Sequence, residues 1–281
     1  TATTEIYTLS LHDALPIYRI GDDIIRCHKC PRRAVIHQRY SGMYLCREHL
    51  QEDVQRKARE YLRQTGLFSG ARRILIELDG GRNSSALAYI LRNTFHRRRD
   101  IELQAVVIDE GMNRFKEAAS VAERLEISLQ QRKMPPAPEG KASSTSPSFC
   151  KREALLSFAQ EKDAGIIATG EDLDDVALEI FLAYLQGECP GEAAGEVRRH
   201  WIRPLQRIPK REVRLYGLIL DLGSDCTPPS LPNQFHEQAR RQLFEFDCRH
   251  PGTNYSLLKG WERLLTPKGG RRAKPLSKDM E

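Results

Sequence analysis

The chain has 281 residues, 40% of them hydrophobic and 29% charged, which is enough for one or two domains with a buried core. No apolar run approaches the roughly twenty residues a membrane-spanning helix needs. The formal charge of +6 favours a polyanionic partner, nucleic acid first, although a solvated charged surface accounts for an excess of this size as well. The basic clusters are His96 to Arg99, Arg198 to His200 and Lys268 to Lys274. Seven cysteines is an odd number, and three of them sit in a tight metal-type spacing. Both facts point to a reducing, cytoplasmic setting and away from a disulfide framework.

Thr1 to Ile17 resembles a short-read sequencing adapter translated in one frame and is set apart from the fold, with the native start expected to be missing. The segment contains Glu5 and Asp13 and no lysine or arginine, so its removal raises the charge of the remaining chain from +6 to +8. The next feature is Cys27-x-x-Cys30, then fifteen residues, then Cys46-x-x-His49. Each pair places two good zinc ligands on a short turn, and the four together can close a tetrahedral site. Free buried cysteines rarely fall at two-residue gaps twice over. With all four positions filled by protein ligands, the expected zinc is structural, with no open position for catalysis. Leu50, Val54, Ala58, Tyr61 and Leu62 then form an apolar stripe, predicting a helix over Glu48 to Gln64. Its Arg56, Lys57, Arg59 and Arg63 either solvate the helix or touch a nucleic-acid backbone.

Ile74 to Leu78 is a short apolar, β-branched run of the kind that forms a buried parallel strand. Asp79-Gly80-Gly81 breaks it, and Ser84 opens a run with helical spacing (Leu87, Ile90, Leu91). Backbone amides at such a strand–turn–helix junction attract anions, phosphate above all, though an ordinary connecting turn has the same pattern. Alternation continues with a strand at Leu103 to Ile108, a helix at Phe115 to Leu125 and a short strand at Ile127 to Leu129. A loop rich in Pro, Ser and Gly follows at Gln131 to Phe149. Next come a helix at Cys150 to Lys162, a strand at Gly165 to Ala168 and a helix at Leu173 to Gln186. Further helices are predicted near Lys210 to Leu220, Asn233 to Asp247 and Tyr255 to Leu265, with a basic, disordered tail from Pro267. Such alternation predicts a doubly wound, Rossmann-like parallel sheet. Ligands of these folds bind beyond the carboxyl ends of the strands, where the glycine turn, Asp109-Glu110 and Gly170 to Asp175 converge.

Taken in order, the Cys-x-x-Cys and Cys-x-x-His pairs, the Gly-Gly loop, Ile-Asp-Glu-Gly, Ala-Thr-Gly-x-x-Leu-Asp-Asp, Arg-Pro-Leu and His-Pro-Gly resemble one known group. These are the tRNA 2-thiouridine sulfurtransferases of the TtuA type, within the PP-loop ATP pyrophosphatase superfamily, and the similarity runs from Cys27 to Leu265. The resemblance implies that ATP adenylates a uridine C2 oxygen of tRNA with loss of pyrophosphate, after which a sulfur species displaces AMP. It implies an ATP site built from Asp79, Gly80, Gly81, Arg82, Asn83, Ser84, Ile108, Asp109, Gly111, Thr169, Gly170, Asp174 and Asp175. Asp174 and Asp175 would hold magnesium and orient the phosphates, unless they simply complement the helix dipole. Cys226 matches the family's late sulfur-carrying cysteine, and Arg240 matches an arginine in the helix after it. A sulfur-carrier protein and a second copy of the chain are partners that the resemblance leaves open.

The chain departs from the family pattern at several places. The family loop reads Ser-Gly-Gly-Lys-Asp-Ser, so Asp79, Arg82 and Asn83 are changes. Asp79 sets a carboxylate where phosphate oxygens approach, a position that asks for a screening cation or a metal. Arg82 still neutralises phosphate, but as a fork in place of a point charge, and Asn83 loses a charge. Glu171 stands at a family histidine. The family's Cys-x-x-Cys falls on Ser144 and Pro147, which argues against an iron–sulfur cluster. Cys150 lies one helical turn beyond Pro147, so it either pairs with Cys226 as a sulfur relay, Asp174 assisting, or is a packing residue. Cys189 and Cys248 have no family counterpart.

The expected domains are 1–17 adapter-derived, 18–52 zinc module, 53–70 linker helix, 71–222 PP-loop ATP-binding α/β domain, 223–266 helical C-terminal part and 267–281 basic tail. Three functions fit this reading. They are ATP-dependent tRNA thiolation, a catalytically degenerate tRNA- or partner-binding relative, and a tRNA-modifying ligase without sulfur chemistry.

Overall fold

The computed structural model of the protein describes residues 24–70, 72–109, 114–134, 147–187, 201–224 and 234–265. The expectations for residues 1–17, Gly111, Ser144, Cys189, Cys226 and the basic tail lie outside them.

The described chain opens with a turn carrying Cys27 and Cys30 and a small antiparallel hairpin, β1 (Ile36–Gln38) with β2 (Met43–Leu45). Helix α1 (Arg47–Thr65) follows, with Cys46 as its N-cap and Gly66 closing it in the left-handed conformation. A five-stranded sheet is then built from β3 (Arg72–Glu77), β4 (Ile101–Asp109), β5 (Ser128–Lys133), β6 (Ile166–Ala168) and β7 (Trp201–Ile202). Its spatial order is β5-β4-β3-β6-β7 and every pairing is parallel. The connecting helices are α2 (Arg82–Phe95), α3 (Phe115–Arg124), α4 (Pro147–Glu161) and α5 (Leu173–Leu185). After β7 come α6 (Lys210–Ile219), α7 (Gln234–Arg249) and α8 (Thr253–Leu265).

The predicted doubly wound sheet is the observed one. The chain winds outward from β3 through β4 to β5, then returns to the other side of β3 for β6 and β7. The reversal falls between β3 and β6, which makes their carboxyl ends the crevice of the fold. Alternate residues of β3 feed opposite layers. Ile74 and Ile76 pack with Leu87, Leu91, Val121 and Tyr216, while Leu75 packs with Leu155, Phe158 and Ile167. A third cluster joins Leu173, Val176 and Ile180 of α5 to Leu258 of α8. Among the described residues no helix is long and apolar enough to cross a membrane.

Three local expectations are corrected. Gln131 to Lys133 continue β5, and Pro147 to Phe149 begin α4, so both ends of the expected loop are regular structure. The polar sequence of β5 hid it, because an edge strand half exposed to water needs little apolar patterning. β1, β2 and β7 were not anticipated; at two or three residues each they are too short to show a period.

A buried charge network fastens the N-terminal module to the sheet domain. Lys57 of α1 pairs with Glu212 of α6 at 2.9 Å and with Asp53 at 2.8 Å, and donates to the Tyr40 hydroxyl at 2.6 Å. Gln38 of the hairpin donates to Asp53 at 2.9 Å, and Tyr40 packs against Tyr255 of α8. Burial opposes ionisation of Asp53, yet Lys57, Arg56 and Gln38 hold its carboxyl down to about 2. Burial pushes Glu212 up, against the pull of Lys57. Lys57→Met would leave Glu212 buried without its cation and Asp53 with only Arg56 and Gln38, and should cost about 3–5 kcal/mol in urea unfolding at neutral pH. Asp53, whose pKa is depressed, stabilises the fold above its ordinary carboxylate range and loses that contribution as pH falls through about 2. Asp53→Asn should therefore lower the Tm at pH 7 and leave it nearly unchanged near pH 2.

Candidate active site and metal centre

Two groups of residues carry recognisable chemistry. The first is N-terminal. Cys27, Cys30, Cys46 and His49 bring four ligand atoms within 4.8 Å of one another. The Cys27 and Cys46 sulfurs lie 3.3 and 3.4 Å from His49 Nδ1, and the Cys30 and Cys46 sulfurs are 3.6 Å apart. A tetrahedral ion bound through sulfur at about 2.3 Å has edges near 3.7 Å, so the four atoms already stand at the corners of a metal site. The local fold explains the convergence. The knuckle at Cys27 to Cys30 is tied to the hairpin by the His28 N–H donating to the Tyr44 carbonyl at 2.9 Å. Cys46 and His49 share a face at the start of α1, where no side chain caps the helix and the Cys46 thiol is directed to the cluster. Burial works against a thiolate at Cys27, but the Lys29 and Cys46 N–H groups, His49 and Cys30 pull its thiol down to about 6. Burial pushes the Cys46 thiol up to about 11. One ready thiolate among several thiols is what a divalent cation needs to begin displacing protons.

The second group lies at the carboxyl ends of β3 and β6. Gly80 has φ +77°, and a Cβ there would stand 2.6 Å from Glu117 Cβ and 2.9 Å from the Ala118 nitrogen, so only glycine fits beneath α3. A Cβ on Gly170 would meet Asn83 and Ser84 backbone atoms at 3.1 Å. The turn after β6 thus lies directly against the first turn of α2. Thr169 is fully buried, its hydroxyl accepting the Trp201 indole N–H at 2.9 Å and its own N–H bonded to the Ile202 carbonyl at 3.1 Å. It fixes the turn without facing the crevice. Ile108 is buried in the second core cluster, and Asp109 accepts from the Gln131 amide at 3.1 Å at the end of β4.

The three altered loop residues have well-defined places. Asp79 turns back into its own loop: Oδ1 accepts the Gly81 N–H at 3.0 Å and the Ser84 hydroxyl, and Oδ2 faces Arg114 at 3.3 Å. The screening cation that Asp79 asks for is therefore Arg114, which sequence reasoning missed. The Arg82 stem runs along Gly217 of α6, and the Arg82 N–H donates to the Ser224 carbonyl at 3.1 Å. Asn83 donates to Asp172 Oδ2 at 2.9 Å. Asn83 thus serves as a hydrogen-bond donor to a buried acid on the neighbouring turn.

Asp172 is fully buried and caps α5, accepting the Asp174 and Asp175 N–H groups at 3.0 Å each, while Asp175 returns a carboxylate to the Asp172 N–H at 3.3 Å. This capping box was legible as Asp-x-x-Asp before an apolar run but was not read. Burial, then Asp175, pushes the Asp172 carboxyl well above the carboxylate range, against Lys210 and Asn83. Asp174 Oδ2 accepts the Lys210 backbone N–H at 2.8 Å, and Lys210 Nζ reaches Asp175 at 3.5 Å. Burial raises Asp174. Lys210 is raised by Asp175 first, with burial and the positive charge of Arg240 of α7 acting in the opposite sense. Glu77, at the end of β3, pairs with Lys151, and Glu171 stands 3.9 Å from Arg203 Nε. The crevice is therefore lined by alternating acids and bases above a glycine-built floor, a setting that can hold a magnesium-bound polyphosphate.

A PP-loop domain family matches residues 50–218, more than half of the chain, and the N-terminal LIM domain of the 2-thiouridine synthetase TtuA matches residues 26–51. The chain belongs to the TtuA-type PP-loop family. It is 28% identical to the tRNA 2-thiolation protein NcsA of Haloferax volcanii over 85% of this chain and 87% of that protein. It is 26% identical to the tRNA-5-methyluridine(54) 2-sulfurtransferase of Pyrococcus horikoshii over 87% of this chain and 85% of that one. Among solved structures, the U34-tRNA thiolase NcsA of Methanococcus maripaludis with its [4Fe-4S] cluster superposes with a TM-score of 0.76 at 25% identity, covering 88% of this chain and 89% of its own.

Such a cluster needs several cysteine thiolates. Among the described residues, the only group of three or more ligand atoms is the N-terminal one. Near the strand ends the described thiol is Cys150, buried in the first turn of α4 next to Lys151, and Ser144 and Pro147 occupy the places of the family's cysteine pair. The described residues alone do not supply such a donor set at the crevice. Cys226 lies outside the described residues. The described chain stops two positions before it, at Ser224, whose N–H donates to the Gly80 carbonyl at 3.1 Å.

The Asn83–Asp172 pair yields a directional prediction. Asn83→Asp would set two carboxylates in contact and should destabilise the fold by about 1–3 kcal/mol. Adding Asp172→Asn should restore most of the loss, because asparagine still caps a helix. A double-mutant cycle by denaturant unfolding measures the coupling.

Proposed function

We propose that the protein is an ATP-dependent tRNA 2-thiolation enzyme, which adenylates a uridine of tRNA and then exchanges AMP for sulfur. The observation that carries the reading is the junction of the two conserved-pattern turns at the sheet reversal. Gly80-Gly81 and Gly170 meet there with the first turn of α2 between them, in a chain similar over most of its length to named tRNA thiolation proteins. In this reading Gly80, Gly81 and Ser84 carry the phosphates, and Ile108, Asp109, Gly111, Thr169 and Gly170 shape the nucleotide pocket. Asp174 and Asp175 hold magnesium through lone pairs that Lys210 leaves, and Lys210 and Arg240 offset charge on the departing pyrophosphate. Cys226 carries sulfur as a persulfide received from a persulfide-bearing donor, and its terminal sulfur attacks C2 and displaces AMP. The Cys150 thiol then attacks the Cys226 sulfur, releasing the thiolated tRNA and leaving a disulfide that an external thiol reduces. The N-terminal ion is zinc, in keeping with a Cys3His donor set at tetrahedral spacing. It is structural, because all four corners belong to the protein. The setting is a reducing one, consistent with the free thiols among the described residues.

Purified protein given ATP, magnesium, tRNA, a persulfide sulfur donor and a thiol reductant should release AMP and pyrophosphate and yield tRNA heavier by the exchange of one oxygen for sulfur. Asp174→Ala should reduce pyrophosphate release by about 10²-fold or more. Adenylation without a sulfur-bearing product would favour a ligase of other chemistry, and tRNA binding without any nucleotide turnover would favour a binding module. The second alternative draws on a specific observation, since the Gly81 and Arg82 N–H groups already have acceptors within the protein. Metal analysis should give about one zinc per chain, and Cys27→Ser should abolish it and unfold the N-terminal module.

A further inference from the structure

The nucleotide reading leaves unexplained why the loop carries a carboxylate. We infer that Asp79 is an internal anion that occupies the phosphate donors of the loop and sets the affinity of the site for nucleotide, an inference that rests on the nucleotide reading above. The donors a strand–turn–helix junction offers to phosphate are the first free N–H groups and the hydroxyl of the helix start. Here the Gly81 N–H and the Ser84 hydroxyl both donate to the same oxygen of Asp79. The neighbouring Arg82 N–H is committed to the Ser224 carbonyl. A polyphosphate entering this cradle needs donors that a carboxylate already holds, and two anions cannot share one N–H.

The outlet for the carboxylate is also present. Oδ2 lies 3.3 Å from Arg114, whose side chain is 17% exposed and stands on the rim at the start of α3. Rotation of Asp79 toward Arg114 frees the Gly81 N–H and the Ser84 hydroxyl while keeping the carboxylate paired. Inward, Asp79 closes the cradle and touches Arg114 through Oδ2 alone; outward, both oxygens turn to Arg114 and the phosphates take their place on the loop. Glu77 and Glu171 at the same strand ends are faced by Lys151 and Arg203, so the carboxylate in the loop is held by its own donors and by Arg114. ATP binds by displacing a tethered competitor, and its apparent affinity is reduced by the fraction of molecules with Asp79 turned inward.

The test is calorimetric titration of ATP and of inorganic pyrophosphate into the full chain with magnesium. Wild type would be compared with Asp79→Ser, Asp79→Asn and Arg114→Met in single and double combination, and folding checked by thermal unfolding. Asp79→Ser should tighten ATP binding at least tenfold, and Asp79→Asn, which keeps the shape and removes the charge, should tighten it in the same direction. Arg114→Met should weaken binding when Asp79 is present and have no effect in the Asp79→Ser background, because its role is to receive the displaced carboxylate. Weaker binding after Asp79→Ser or Asp79→Asn would make Asp79 a magnesium ligand and overturn the inference. So would unchanged binding, or an equal loss from Arg114→Met in both backgrounds. If neither folded wild type nor folded Asp79→Ser binds ATP, the nucleotide reading itself fails and this one falls with it. Failure of this inference alone shows as a wild type that binds and an Asp79→Ser that binds no tighter.

Discussion

The site depends on one steric constraint, the contact of the turn after β6 with the first turn of α2. Gly170 lies so close to Asn83 and Ser84 that a Cβ there would stand 3.1 Å from the helix backbone, tight enough to push it aside. That contact brings together two segments nearly ninety residues apart in sequence and makes a single crevice of the reversal in strand order. The polar contacts are arranged around it. Asn83 reaches across to Asp172, Asp172 caps α5, and Asp174 in turn receives the first N–H of α6. The three helix ends around the start of α2 therefore cannot separate without losing these hydrogen bonds.

The same helices carry the N-terminal metal cluster into this arrangement. Cys46 begins α1, Lys57 of α1 is locked to Glu212 of α6, and Lys210 at the head of α6 bonds to Asp174. Cys27, Cys46, Leu50 and Val54 belong to the hydrophobic cluster that also includes Ile74 and Tyr216. The metal module is thus rigidly indexed to the crevice, as a platform that presents a macromolecule to a fixed reactive point would require. Because Lys57 is buried between two carboxylates, the connection is electrostatic as well as apolar, and it is intolerant of losing any one charge.

The altered loop gains a different meaning in three dimensions. Counted along the sequence, Asn83 is a missing charge and Asp79 a misplaced one. In space, the first is a hydrogen-bond donor to the buried Asp172, and Arg114 with the Gly81 amide and Ser84 hydroxyl accommodates the second. Arg82, expected at the phosphates, lies along Gly217. Asp172, Arg114 and Gly217 are all distant in sequence from the loop residues they meet, and no periodicity reports them.

The sequence by itself determined the parallel sheet, the helices between its strands and the four-ligand cluster. Those features are set by local patterns: β-branched runs, helical spacing, and ligand pairs on short turns whose geometry is fixed within a few residues. It also placed Gly80, Gly81, Gly170, Asp174 and Asp175 at the strand ends, since a doubly wound sheet leaves little choice. The short strands β1, β2 and β7 and the polar end of β5 escaped because pairing with a neighbour, and not their own composition, makes them strands. Tertiary structure alone decided where each charge of the site finds its partner. A carboxylate's role follows from which donors lie within about 3 Å of it, and those donors come from segments that only folding brings together.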